Sequence, residues 1–178
     1  MQTNPLTQGK PSATTLNAEI LLNAPVSEVW DVVGANFDKI MRYSTDVANS
    51  YYLRQADGML GSRRRSEMHN GRTLDVEITA WEDEVHVQWK IVKPHIPILK
   101  SGVSRYILIA HGSQTRLVLD GYFKTMFFLL NPIAKMRFKS VVADDLAGIK
   151  HLVENGKTAH SENVNDTLAQ YRKQVVFR

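Results

Sequence analysis

The chain has 178 residues, 43% hydrophobic and 22% charged, with a formal net charge of +4, which suits one ordered domain with a real core and short tails. Zero Cys excludes disulfides, thiolate metal ligands and a Cys nucleophile, and the mild positive charge is too small to indicate a nucleic-acid partner, so none is expected. No stretch approaches the ~18–20 apolar residues of a membrane helix, and the polar start lacks the apolar core of a secretory signal, so a cytoplasmic protein is the default expectation.

Residues 1–15, with Pro5, Gly9 and Pro11, read as a flexible leader. Leu16–Asn23 alternates loosely through Leu16, Ala18, Ile20 and Leu22 and predicts a first strand. Pro25 or Ser27 then starts a short helix whose apolar face is Val26, Val29, Trp30 and Val33, and Gly34 stops it. A second short helix is expected over Phe37–Tyr43. Six strand-like runs follow: 47–54, 62–69, 72–82, 85–93, 102–110 and 115–126. Turn signals separate them, of which Asn70-Gly71 is the sharpest. Alternation is clean in two runs. Leu74, Val76 and Ile78 oppose Asp75, Glu77 and Thr79; Val87, Trp89 and Ile91 oppose His86, Gln88 and Lys90. A sheet with one covered and one wet face produces this pattern. A long helix is expected over 131–155, with Asn131 as cap, Pro132 at its first turn and Gly156 at its end. Phe138, Val142, Leu146, Ile149 and Val153 form its apolar stripe, and at ~1.5 Å per residue it is long enough to cross a sheet. Residues 157–178 read as a polar tail with a small amphipathic helix. The domain proper is thus 16–156, of α+β class: a seven-stranded curved antiparallel sheet gripping a long C-terminal helix, with two short helices after the first strand.

Two motifs sharpen this reading. The segment Ile20-Leu21-Leu22-Asn23-Ala24-Pro25-Val26-Ser27-Glu28-Val29-Trp30 resembles the opening of the START-related SRPBCC superfamily, and Gly58-Met59-Leu60-Gly61-Ser62-Arg63 resembles its entry to the third strand. The chain looks most like the polyketide cyclase/dehydrase branch, over about 16–156. The resemblance implies a helix-grip fold around a cavity for a hydrophobic ligand, and names no catalytic residue.

A curved sheet and one helix cannot touch everywhere, so the gap is filled by large side chains or by a guest. The sheet contributes Val76, Ile78, Val87, Trp89, Ile91, Leu108 and Phe123 as candidate lining residues. Phe138, Val142 and Leu146 contribute from the helix, and Tyr43, Tyr106 and one of Arg63–Arg65, with Arg64 the candidate, serve as polar anchors. Alternation separates Arg64 from its two neighbours but does not say which face is inward. Hairpin alternation sets the connections 94–99 and 126–130, both apolar, at one end of the sheet. Phe128 is therefore a candidate at a gate, a membrane-touching patch or a plug.

No nucleophile elbow, zinc-helix, phosphate-loop or dinucleotide motif occurs, and the six His lack metal-ligand spacing, so neither metal nor cofactor is expected. Asp144-Asp145 reads as a solvated helix face, and Asp120 and Tyr122 as outward. The favoured function is binding or carrying a hydrophobic small molecule, lipid-like or aromatic. The alternative is a cyclase/aromatase enzyme dehydrating a polyketone by general acid–base work, which needs converging titratable groups inside. Whether a reaction occurs stays open, as do a transient membrane-surface contact and a dimer.

Overall fold

The computed structural model describes residues 14–94, 99–126, 131–161 and 164–178. β1 (Thr14–Leu22) leads into α1 (Val26–Trp30), which runs on through a π-helical turn (Asp31–Ala35) and a kinked 3-10 segment (Phe37–Arg42). Six strands follow as a meander: β2 (Val47–Arg54), β3 (Arg63–Met68), β4 (Thr73–Glu82), β5 (His86–Pro94), β6 (Leu99–His111) and β7 (Gln114–Thr125). Then come α2 (Asn131–Asn155), α3 (Asn165–Arg172) and β8 (Val176–Phe177). All strand pairs are antiparallel, in the order β2-β3-β4-β5-β6-β7-β1-β8. The helix-grip architecture expected from the sequence is therefore present, with eight strands rather than seven. The extra strand, β8, is two residues long and leaves too short a pattern to read. It covers the edge of β1, where Ala18 pairs with Phe177 and Arg178 bonds Glu19 at 2.7 Å, so an edge open to stray strand pairing is blocked.

One face of the sheet is the core. Ala18, Ile20 and Leu22 of β1 register with Leu119, Leu117 and Thr115 of β7, and all six are buried. Val29, Trp30, Val33 and Phe37 close this core from the helical insert, and Leu146, Ile149 and Leu152 from α2. The opposite face is charged: Arg63 and Lys90 flank Glu77, while Arg65 makes two 2.7 Å bonds to Asp75. Asp120 and Tyr122 alternate with the core residues Leu119 and Phe123 along β7, and Tyr122 is nonetheless buried.

Two contacts fix α2 against the sheet. Lys150, buried, donates to the Leu21 carbonyl at 2.7 Å and to Glu154 at 2.6 Å. Gly148 lets the helix touch the chain that enters β2, since a Cβ there would lie 1.9 Å from the Tyr43 carbonyl oxygen. The two halves of α2 differ. Residues 146–152 are buried on every side between the sheet and α3, whereas most positions of 132–140 are exposed. Leu168 of α3 packs with Ala147, Ala159 and Val164, and Arg172 pairs with Asp144. The tail thus contributes a short helix seated on α2.

Candidate functional site

Strand register assigns the inward side chains. Arg64 lies opposite Tyr52 on β2 and Val76 on β4, Val76 opposite Ile91, and Ile78 opposite Trp89. Trp89 faces Ser104, Val87 faces Tyr106, and Gly102 faces Phe123. Of the three consecutive arginines, Arg64 alone turns inward and is 3% exposed.

The candidates fall into two groups. Val76, Ile78, Val87, Leu108 and Leu146 are buried in the close-packed core. Trp89, Ile91, Phe138 and Val142 also face inward and pack on core residues, yet keep part of their surface accessible. Leu74 behaves likewise. Phe123 is buried against Phe138, ring centroids 4.3 Å apart. Phe128 and both apolar connections, 95–98 and 127–130, lie outside the described residues.

Between these groups sits a buried polar cluster. The end of the 3-10 segment supplies Tyr43, β6 supplies Tyr106 and β3 supplies Arg64, each under 5% exposed. The Tyr43 oxygen accepts hydrogen bonds from Arg64 and from the Tyr106 hydroxyl. Arg64 also donates from Nη1 to the Phe37 carbonyl at 2.6 Å, and its Cζ stacks 4.1 Å from the Phe37 ring centre. Phe37, Trp89 and Tyr106 form an aromatic band, with centroid separations of 5.6 and 5.0 Å. Burial raises the pKa of both tyrosines, so they are neutral phenols at any physiological pH. Burial lowers that of Arg64, but a guanidinium keeps its proton regardless.

Asp145 is the residue that sequence reading misplaced. Its partner Asp144 does face outward, to Arg172. Asp145 instead projects from α2 toward the cluster, where it accepts a hydrogen bond from Ser44 and feels the charge of Arg64. Although the residue keeps some accessible surface, protein surrounds its carboxyl. Burial lifts its pKa from 3.8 to about 7, against the opposing Ser44 bond. A signal existed: Phe138, Val142, Asp145, Ile149 and Leu152 follow a 4-3-4-3 spacing, so Asp145 occupies the apolar stripe itself. The reading of Asp144-Asp145 as a solvated helix face is therefore corrected for Asp145. Tyr52, Ser66 and Ser44 also line this wall, and no sequence signal marks them. Among the described residues no cluster of metal-ligating side chains forms, and no helix is long and apolar enough to cross a membrane.

A family model described as polyketide cyclase / dehydrase and lipid transport matches residues 13–154. The chain belongs to that family. Solved structures show the same fold at low identity. A START superfamily protein from Mycobacterium smegmatis superposes with a TM-score of 0.70 at 11% identity, over 80% of this chain and 99% of that one. A Thermobifida fusca protein gives 0.65 at 16%, over 83% and 97%. The Bacillus cereus protein XoxI gives 0.64 at 15%, over 80% and 96%. No curated protein matches in sequence. The family match ends where α3 and β8 have yet to begin, so the strap formed by the tail lies outside what the family model describes.

Proposed function

We propose that the protein binds a hydrophobic small molecule, lipid-like or aromatic, between the sheet and the N-terminal half of α2. The observation that carries this is the accessible surface left on Leu74, Trp89, Ile91, Phe138 and Val142. A side chain that points inward and still exposes surface borders space that a small molecule can enter, and close-packed interiors rarely leave such space unused. The family's description, which includes lipid transport, agrees with this reading. The test is native mass spectrometry of protein purified from cells, together with titration of a fluorescent long-chain probe. A bound apolar species, or saturable one-to-one uptake weakened by Trp89→Ala in a folded variant, supports the reading. Neither a bound species nor probe uptake refutes it.

A second reading is favoured by Asp145. A carboxyl with a pKa of about 7 can give and take a proton near neutral pH, where general acid–base catalysis works best. Arg64 and the Tyr43–Tyr106 pair supply donors for an oxygen that gains charge in a dry site. This is the converging set that dehydration of a polyketone requires. If the protein is such a cyclase, Asp145→Asn abolishes turnover while probe uptake survives; turnover unchanged in that variant removes Asp145 from the chemistry.

Exchange of a lipid-like guest with a membrane surface fits the exposed start of α2. Met126, Ile133 and Met136 are 60–71% exposed, with Lys135, Arg137 and Lys139 exposed among them. Sedimentation with anionic but not neutral vesicles is the expected result, and equal recovery with both contradicts it.

A further inference from the structure

Among the described residues, no side chain forms an ion pair with one cation of the interior. Arg64 is 3% exposed. Among the described residues its partners are a carbonyl, a phenol oxygen and a ring face, all uncharged, and its Nε has no acceptor at all. Asp145 is near enough to feel the charge but makes no ion pair with it, and it is itself held toward the neutral form by burial. A buried charge without an ionic partner is costly and is seldom retained without use.

Two further buried atoms are unsatisfied beside it. The Ser66 hydroxyl has no partner. The Tyr52 hydroxyl lies near the Asp38 main chain but makes no bond of normal geometry. Register sets all three on one wall: Tyr52 lies opposite Arg64, Ser66 opposite Leu74, and Arg64 opposite Val76, which in turn faces Ile91. Three of the four orphaned buried side-chain polar atoms among the described residues are therefore neighbours; the fourth is His151 Nε2, on α2. They adjoin Leu74 and Ile91, two of the inward residues with surface to spare.

This arrangement bears on what the guest is, and so rests on the binding function proposed above. We propose that the guest is a single-tailed amphiphile with a carboxylate head, its tail along Leu74, Ile91 and Val142 and its head held by Arg64 with the Ser66 and Tyr52 hydroxyls, atoms that the unliganded chain keeps covered and that the entering guest uncovers. The carboxylate supplies the missing negative charge and acceptors for up to three orphaned donors at once. An ester or alcohol of the same length brings no charge and leaves the guanidinium uncompensated. A phosphate brings a second negative charge into a dry site with one cation to balance it.

The test compares decanoic acid, methyl decanoate, decanol and decyl phosphate as competitors of an uncharged phenylnaphthylamine probe, below their micellar concentrations, at neutral pH. The acid is expected to displace the probe at a concentration about tenfold or more below that of ester or alcohol, the value of one charge-assisted hydrogen bond. In Arg64→Met that acid-to-ester ratio falls to about one. Equal potency of acid and ester on the wild type, a ratio preserved in Arg64→Met, or a phosphate that outcompetes the acid each overturns the proposal. If Arg64→Met does not fold, the wild-type ratio alone decides. Failure of all four compounds and of the probe to bind is a different result: it refutes the binding function itself.

Discussion

Gly148→Ala tests how tightly the site is coupled to the long helix. In an ordinary helix this change stabilises, by about 1 kcal/mol, because alanine loses less backbone freedom on folding. Here the added Cβ would sit 1.9 Å from the Tyr43 carbonyl oxygen and 2.9 Å from its carbon. A carbon and a carbonyl oxygen rarely approach closer than about 3.3 Å, so helix and loop must separate by more than an ångström. The obstacle is main chain rather than a flexible side-chain tip. It is pinned by the bonds from Tyr43 and Ser44 to the Ile40 carbonyl, at 3.1 and 2.9 Å, and by the buried Tyr43 ring. Overpacking of this kind costs about 1–3 kcal/mol or more, so the clash outweighs the propensity gain. The variant is expected to be less stable by about 2 kcal/mol in urea unfolding followed by tryptophan fluorescence and circular dichroism. Because Tyr43 carries the hydrogen bonds from Arg64 and Tyr106, probe affinity should fall as well. A variant as stable as the wild type, or more so, would show that the contact between α2 and Tyr43 is looser than described.

Asp145→Asn should change the pH profile of stability. With a folded pKa of about 7 against 3.8 unfolded, the folded state binds more protons across that window. Wild-type stability therefore falls as pH rises from about 4 to 7 and levels off above. The full penalty is at most ~4 kcal/mol, less because the residue keeps some accessible surface; urea midpoints at pH 5 and 8 should converge in the variant, and parallel profiles would contradict the burial of this carboxyl. Leu168→Ala, at a position 1% exposed, should cost about 2–4 kcal/mol if α3 is part of the cooperative domain; a loss under about 0.5 kcal/mol would mean that the tail docks weakly.

The periodicities that could be read were those enforced by burial on one side only. Leu74, Val76 and Ile78 alternate because β4 has a dry and a wet face, and the helix stripe recurs because α2 lies on a sheet. Where an element is short or buried all round, that constraint vanishes. Val176–Phe177 is too short to show a period, and the π-helical turn at Asp31–Ala35 continues the pattern of α1 without a break. Arg64 could be separated from Arg63 and Arg65 but not oriented, because only its pairing with Val76 tells inside from outside. The polar cluster was half legible. Tyr43, Tyr106 and Arg64 could be nominated as anchors, but Asp145 was hidden by its neighbour Asp144, since adjacent carboxylates look alike in sequence while a helix turns them ~100° apart. Packing density left no trace in the pattern: Val87 and Trp89 are equivalent by alternation, yet one is sealed and the other keeps accessible surface.

The central claim is that a guest occupies the space under the N-terminal half of α2, and methyl-resolved NMR addresses it directly. Protein labelled at Ile, Leu and Val methyls is titrated with decanoic acid. The account predicts saturable shifts and ligand contacts at Ile91, Leu74 and Val142, with Leu21, Ile109 and Val176, on the outer side near the strap, unmoved. Shifts confined to those outer methyls, or no shifts at all, would contradict it.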